Sequence, residues 1–232
     1  MKTRKALKQE AKTLILSDYK KALGLNIVPI LLIVLTGITV ALALGMFTVL
    51  IFNSGDFMNS VKETSENNFD ASGFFVNMIG IIFTSGIMYQ MLDWFRGDRD
   101  FNVVSGMFTG FKRKYVWGIL MIYIIQVVFR FFWTMLFIIP GIIKSYSYSQ
   151  AYYIYKDCVD KGQTSERSFV DYITMSRQLM DGHKFEYFVL QLSFIGWWLL
   201  VLFTAGLAAF WVVPYQNATM MAYYDNLTKE TL

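Results

Sequence analysis

The chain has 232 residues, of which 55% are hydrophobic, 18% aromatic and only 16% charged, with a net charge of +4. Soluble domains carry about 25% charged residues, so the composition excludes an ordinary water-soluble fold and, with it, soluble catalysis as a starting point. One cysteine and one histidine exclude an intrachain disulfide and a histidine-based metal cluster, and no cofactor is expected.

Residues 2–21 predict a basic amphipathic helix. Leu7, Ala11, Leu14, Ile15 and Tyr19 recur at helical spacing, and Lys5, Lys8, Lys12, Lys20 and Lys21 take the remaining surface. Such a helix rests on an anionic leaflet, held by apolar burial and by its lysines as interfacial anchors. The same lysines also act simply as an orientation signal.

Residues 22–54 carry no charge. As helix they extend roughly 50 Å, against about 30 Å of bilayer hydrocarbon, and a first span is expected over 24–52. The basic start and Ala41-Leu42-Ala43 resemble a cleavable signal, but apolar sequence continues through Phe52, so the run reads as an anchor. Residues 53–72 hold Asp56, Glu63, Glu66 and Asp70 against Lys62 alone, which predicts an external loop. A second span is expected over 73–92. The 93–114 connection holds Arg96, Arg99, Lys112, Arg113 and Lys114, which places it and the amino terminus in the cytoplasm.

A third span is expected over 115–139, a tight turn at Pro140-Gly141, and a short return helix over 142–155 that is tilted or partly re-entrant. That helix is rich in tyrosine, which favours membrane interfaces. Residues 165–181 predict a cytoplasmic amphipathic helix capped by Ser165, with Phe169, Tyr172, Ile173, Leu179 and Met180 on one face and Gly182 as a left-handed stop. Residues 187–224 are again free of charge. They split into spans 187–203 and 207–224 at a turn ending in Gly206. The expected fold is all-α: one domain over 1–232, a polytopic transmembrane bundle of about six helices with both termini inside and amphipathic helices at the interface. A five-helix count, with 140–155 re-entrant and the carboxy terminus outside, is the rival.

Arg130 stands about fifteen residues into the third span, and Lys144 follows the Pro140-Gly141 turn at similar height. Two cations there could bind a lipid headgroup or another anion; two residues snorkelling at a boundary would look the same. Gln90, Gln126, Gln150, Gln191, Gln216, Asn77 and Asn217 lie within apolar runs, where such residues most often hydrogen-bond between helices. Gly37 with Ala41 and Gly80 with Thr84 are small-residue pairs suited to close helix contact.

The stretches Ile139-Pro140-Gly141-Ile142-Ile143-Lys144-Ser145-Tyr146, Gly182-His183-Lys184, Leu192-Ser193-Phe194-Ile195-Gly196-Trp197 and Val213-Pro214-Tyr215, with the Lys8 to Lys20 region, resemble the bacterial membrane family called domain of unknown function 975. The resemblance covers nearly the whole chain. It implies a polytopic bacterial membrane protein, common in Gram-positive bacteria, without an assigned reaction. The Ile-Pro-Gly-Ile element also resembles a membrane domain attached to some glycerophosphodiesterases, whose catalytic domain is missing here.

No hydrolase, metalloprotease or phosphate-loop motif occurs in the sequence. The expected function is that of a non-enzymatic protein of the bacterial cell membrane that binds anionic inner-leaflet lipid or a membrane protein partner, and no nucleic acid. A transporter or channel component for a small solute or peptide is the alternative. It would need paired intramembrane charges, and the apolar runs lack acids.

Overall fold

The computed structural model describes residues 2–53, 71–136, 138–164 and 167–231, and every regular element among them is helical. α1 (Arg4–Ser17) leads into the long α2 (Tyr19–Asn53). α3 (Ala71–Phe95) is followed by a short α4 (Val103–Met107), a 3-10 turn (Thr109–Phe111) and α5 (Arg113–Leu136). Next come α6 (Ile138–Tyr148), α7 (Ala151–Asp160) and α8 (Phe169–Leu179). α9 (Lys184–Leu192), α10 (Ile195–Phe203) and α11 (Ala209–Thr231) complete the chain. Most of the expected acidic external loop, residues 54–70, and the expected cap Ser165 lie outside the described residues.

Among the described residues, four stretches are long and apolar enough to cross a membrane: Tyr19–Met46, Phe75–Phe95, Arg113–Met135 and Lys184–Phe203. They coincide with the expected first, second, third and fifth spans and suggest a membrane protein. Only 6% of the most apolar window of the first is buried, against 44% in the second, so α2 is peripheral and α3 central. Leu31, Leu35 and Leu42 on α2, Phe132 and Met135 on α5, and Leu199 and Phe203 on α10 are exposed. A surface this apolar suits lipid and would be a liability in water.

The other two expected spans take a different form. Residues 142–155 are not one helix, because α6 and α7 meet at Ser149-Gln150. There the Gln150 N–H donates to Ser176 Oγ at 3.1 Å, and that hydroxyl donates to the Ser147 carbonyl at 2.8 Å. A side chain from α8 thus closes the backbone where the helix breaks. The turn expected at Pro140-Gly141 is not found there, because α6 begins at Ile138. Both residues therefore stand in the first turn of α6, where a proline leaves no hydrogen bond unmade. Gly141 is needed for a different reason, since a Cβ there would come within 2.8 Å of Thr134 Oγ1 on α5.

The expected span 207–224 becomes α11, which runs on to Thr231. Residues 218–225 of it are all buried, and it packs against α1, α2 and α3. The carboxy-terminal half of α11 therefore lies in the core of the bundle. Leu7, Ala11 and Ile15 on α1 are fully buried, and α1 packs chiefly on α11. The stripe expected to rest on the leaflet is thus consumed by protein, because α1 lies against α11 and its buried residues join the main core cluster.

Pro214 explains one long-range contact. It has no N–H to give the Phe210 carbonyl, and Tyr19 Oη donates to that oxygen at 3.1 Å. Asn217 Nδ2 donates to Asn26 Oδ1 at 2.7 Å, and Trp198 Nε1 to Gln216 Oε1 at 2.8 Å, so these polar residues do join helices. The turn after α10 falls where expected. Ala205 (φ 50°) and Gly206 (φ 93°) are both left-handed, and a Cβ on Gly206 would meet Val34 Cα of α2 at 2.7 Å. The Gly37 site receives the Ala205 carbonyl, whereas nothing approaches Gly80.

α8 starts at Phe169 behind a capping box of Ser168 and Asp171, downstream of the expected start, because the box satisfies two orphan N–H groups. Its buried side includes Tyr172, Ile173 and Ser176, it packs on α5, α6 and α7, and Gly182 follows with φ 78°.

Candidate functional site

Charged side chains that the sequence places far apart meet in one knot. Arg96, just past α3, donates to both oxygens of Asp157 on α7 at 2.6 and 2.9 Å. Its Nε donates to Asp225 on α11 at 3.1 Å. Tyr224 Oη donates to Asp157 at 2.8 Å, and Lys229 pairs with Asp225 at 2.6 Å. Beside this group Lys156 is buried and pairs with Asp93 on α3 and with Asp160. Asp160 also accepts from Lys114 at 2.9 Å and from Tyr115 Oη at 2.5 Å, both on α5.

The electrostatics of the knot favour the charged forms. Burial works against the Arg96 cation, but the hydrogen bonds to Asp157 and Asp225 prevail and hold it protonated. Burial would likewise raise the Asp160 carboxyl, and the bonds from Lys156, Tyr115 and Lys114 instead pull it down to about 2. Each acid here meets a cation, so the knot is a clasp between α3, α5, α7 and α11.

A second cluster is not compensated. Lys144 and Ser147 of α6, Arg177 and Gln178 of α8, Asp181 and Lys184 line a notch of about 210 Å³. Lys144 Nζ stands 4.4 Å above the Trp133 ring. Lys184 pairs with Asp181 at 3.2 Å, which leaves Lys144 and Arg177 without a carboxylate among the described residues. Three cations against one acid give this open notch a net positive charge.

Arg130 does not line this notch. Its Nη2 donates to Gln126 Oε1 at 2.6 Å, and Gln126 in turn donates to the Tyr148 carbonyl at 2.9 Å. Arg130 Nε and the Tyr152 hydroxyl are buried without a partner among the described residues. The two cations expected to share an anion therefore have different surroundings: Arg130 joins a polar group between α5, α6 and α7, and Lys144 joins Arg177 and Lys184.

Lys5, Lys8 and Lys12 fall on one shallow basic surface with Arg4, Gln9, Ser193 and Tyr215. Lys8 Nζ lies 4.5 Å from the Phe194 ring, and burial, with Arg4 adding to it, lowers its pKa. Lys20 is exposed. Lys21 is used internally, donating to the Arg99 carbonyl at 2.7 Å. Of the turn residues, Gly206 stands in a turn, and Pro140 and Gly141 stand inside α6.

Sequence reasoning missed Arg177 and Lys184 as partners of Lys144, and it took Arg96 as a topology signal alone. Nothing in the spacing from 144 to 177 marks them as neighbours; only the packing of α6 on α8 does. For Lys156 and Asp160 a signal did exist, since they stand four residues apart on one helix. No group of three or more His, Cys, Asp or Glu able to hold a metal occurs among the described residues.

Over residues 135–231 the chain matches a family model described as a protein of unknown function (DUF975). The match spans α6 to α11, including Lys144, Arg177, Lys184 and the α7 and α11 sides of the knot. It is narrower than the near-complete resemblance read from the motifs, and the Lys8 to Lys20 region lies outside it. No curated protein and no solved structure matches the chain.

Proposed function

We propose that this is a multi-pass protein of the bacterial cell membrane, with both termini cytosolic, that binds anionic lipid and catalyses no reaction. The observation that carries the reading is the notch of Lys144, Arg177 and Lys184, whose three cations face the single carboxylate of Asp181. Trp133 beside Lys144 gives it the aromatic neighbour common at a headgroup boundary, and Lys5, Lys8 and Lys12 add a second basic surface. The orientation is supported by the knot, where the cytosol-assigned ends of α3, α5, α7 and α11 meet. An even number of crossings, four or six, puts both termini on one side.

Lipid retained by the purified protein tests this. Each cation near an anionic surface contributes about 1 kcal/mol, so Lys144→Gln, Arg177→Gln and Lys184→Gln together should weaken retention of phosphatidylglycerol roughly 100-fold. Mass spectrometry of the copurified lipid reads the loss. Retention equal to that of the unaltered chain would sink the proposal.

A further inference from the structure

A second cavity, of about 310 Å³, opens between α7, α8 and α11. Its size falls within the range of small-molecule sites, which are mostly apolar with a few placed polar groups. Ile154, Met175, Leu179 and the Tyr224 ring supply apolar wall, and Lys161, Gln163, Arg167 and Gln178 supply polar lining.

The charge at this rim is unspent. Arg167 Nη1 donates to Met175 Sδ at 2.9 Å and to Cys158 Sγ at 3.6 Å. Sulfur is a weak acceptor, so these contacts place the guanidinium at the cavity without neutralising it. Neither Arg167 nor Lys161 has an ion pair among the described residues. The one carboxylate in the lining, Asp157, has both oxygens taken by Arg96 and a further bond from Tyr224. Among the described residues, a ligand in the cavity would therefore meet two cations without an ion pair and no free carboxylate.

We infer that this cavity binds an amphipathic anion. A carboxylate or phosphate head is held at the rim by Arg167 and Lys161, and a short apolar or aromatic body lies against Met175, Leu179 and the Tyr224 ring. The guanidinium fork suits a two-oxygen head, and a flexible thioether adapts to bodies of different shape. The site shares Gln178 with the Lys144 notch but has its own cations, and it does not rest on that notch.

The test uses the full chain in neutral detergent. Calorimetry with phenyl phosphate should give saturable binding, weakened at least tenfold in the Lys161→Gln, Arg167→Gln double variant and unchanged in Lys112→Gln, an exposed cation that lines neither cluster. Both altered side chains of the double variant are exposed, so the fold is retained. Cys158, the only cysteine, lines the cavity, and bound phenyl phosphate should slow its alkylation by N-ethylmaleimide. Lysophosphatidate tests a lipid source for the same head and body, and binding of either compound with this variant pattern supports the site. The proposal falls if neither binds, or if inorganic phosphate or benzyl alcohol binds as tightly as phenyl phosphate. It also falls if binding survives the double variant, or is lost in Lys112→Gln.

Discussion

Lys156 retains 1% of its side-chain exposure, while its partners Asp93 and Asp160 each retain 34%. Removing one member of a buried pair costs about 3–5 kcal/mol, and the partly wet carboxylates put Lys156→Met near the low end, about 3 kcal/mol. A denaturation midpoint in detergent would register this; an unshifted midpoint would mean that the pair contributes nothing. Asp160 adds a pH dependence. Its carboxyl titrates at about 2 in the folded chain, below the ordinary value near 4. The stabilisation is therefore complete above about pH 4 and is lost as pH falls toward 2. Thermal scans should show that decline, and Asp160→Asn should flatten it. Tyr19→Phe should cost about 1 kcal/mol by leaving the Phe210 carbonyl unpaired beside Pro214. At this scale the sequence was only partly readable. It showed Lys144 as an unusual cation, but its true neighbours arrive from α8 and from the start of α9, and periodicity within one helix carries no record of another helix.

Among the elements, α2, α3 and α5 were legible because length and hydropathy decide a span almost alone. α11 was read as a span for the same reason, but its place in the core was not. Hydropathy does not distinguish a helix wrapped in lipid from one wrapped in protein. The polar residues Asn217, Thr219 and Asp225 mark the difference only after their partners are known. The α6–α7 break was illegible because a hydroxyl from α8, Ser176, satisfies it. The link after α10 depends on two left-handed residues and on close approach to α2. Gly206→Ala should therefore lower the thermal midpoint by several degrees, whereas Gly196→Ala, with nothing within 4 Å of its Cβ, should leave it in place. Equal effects at the two sites would remove the argument for the turn.

For the molecule as a whole, the alternation of cationic and acidic connections led to one orientation, and the knot gathers the cationic ends at one place. A fluorescent reporter fused after Leu232 should light up in the cytoplasm; a dark fusion that is active as a periplasmic or extracellular reporter would favour an odd number of crossings. Arg96→Ala should loosen several helices together, because one guanidinium joins α3 to both α7 and α11. Cooperative loss of structure, with a single transition moving to lower temperature, is the expected signature. Charge clusters near apolar runs were visible in the sequence. Their role as a clasp was not, since a topology signal and an ion-pair network draw on the same residue types.

The packing of α1 and α2 on α11 also bears on synthesis. Tyr19 meets Phe210, and Asn26 meets Asn217, each across 191 positions of chain. At about 5–20 residues per second, the ribosome needs on the order of 10–40 s to make the second member of each pair. Through that interval Leu7, Ala11 and Ile15 have no α11 to cover them, and the nascent helix must find temporary shelter at the bilayer surface or on an insertase before it docks.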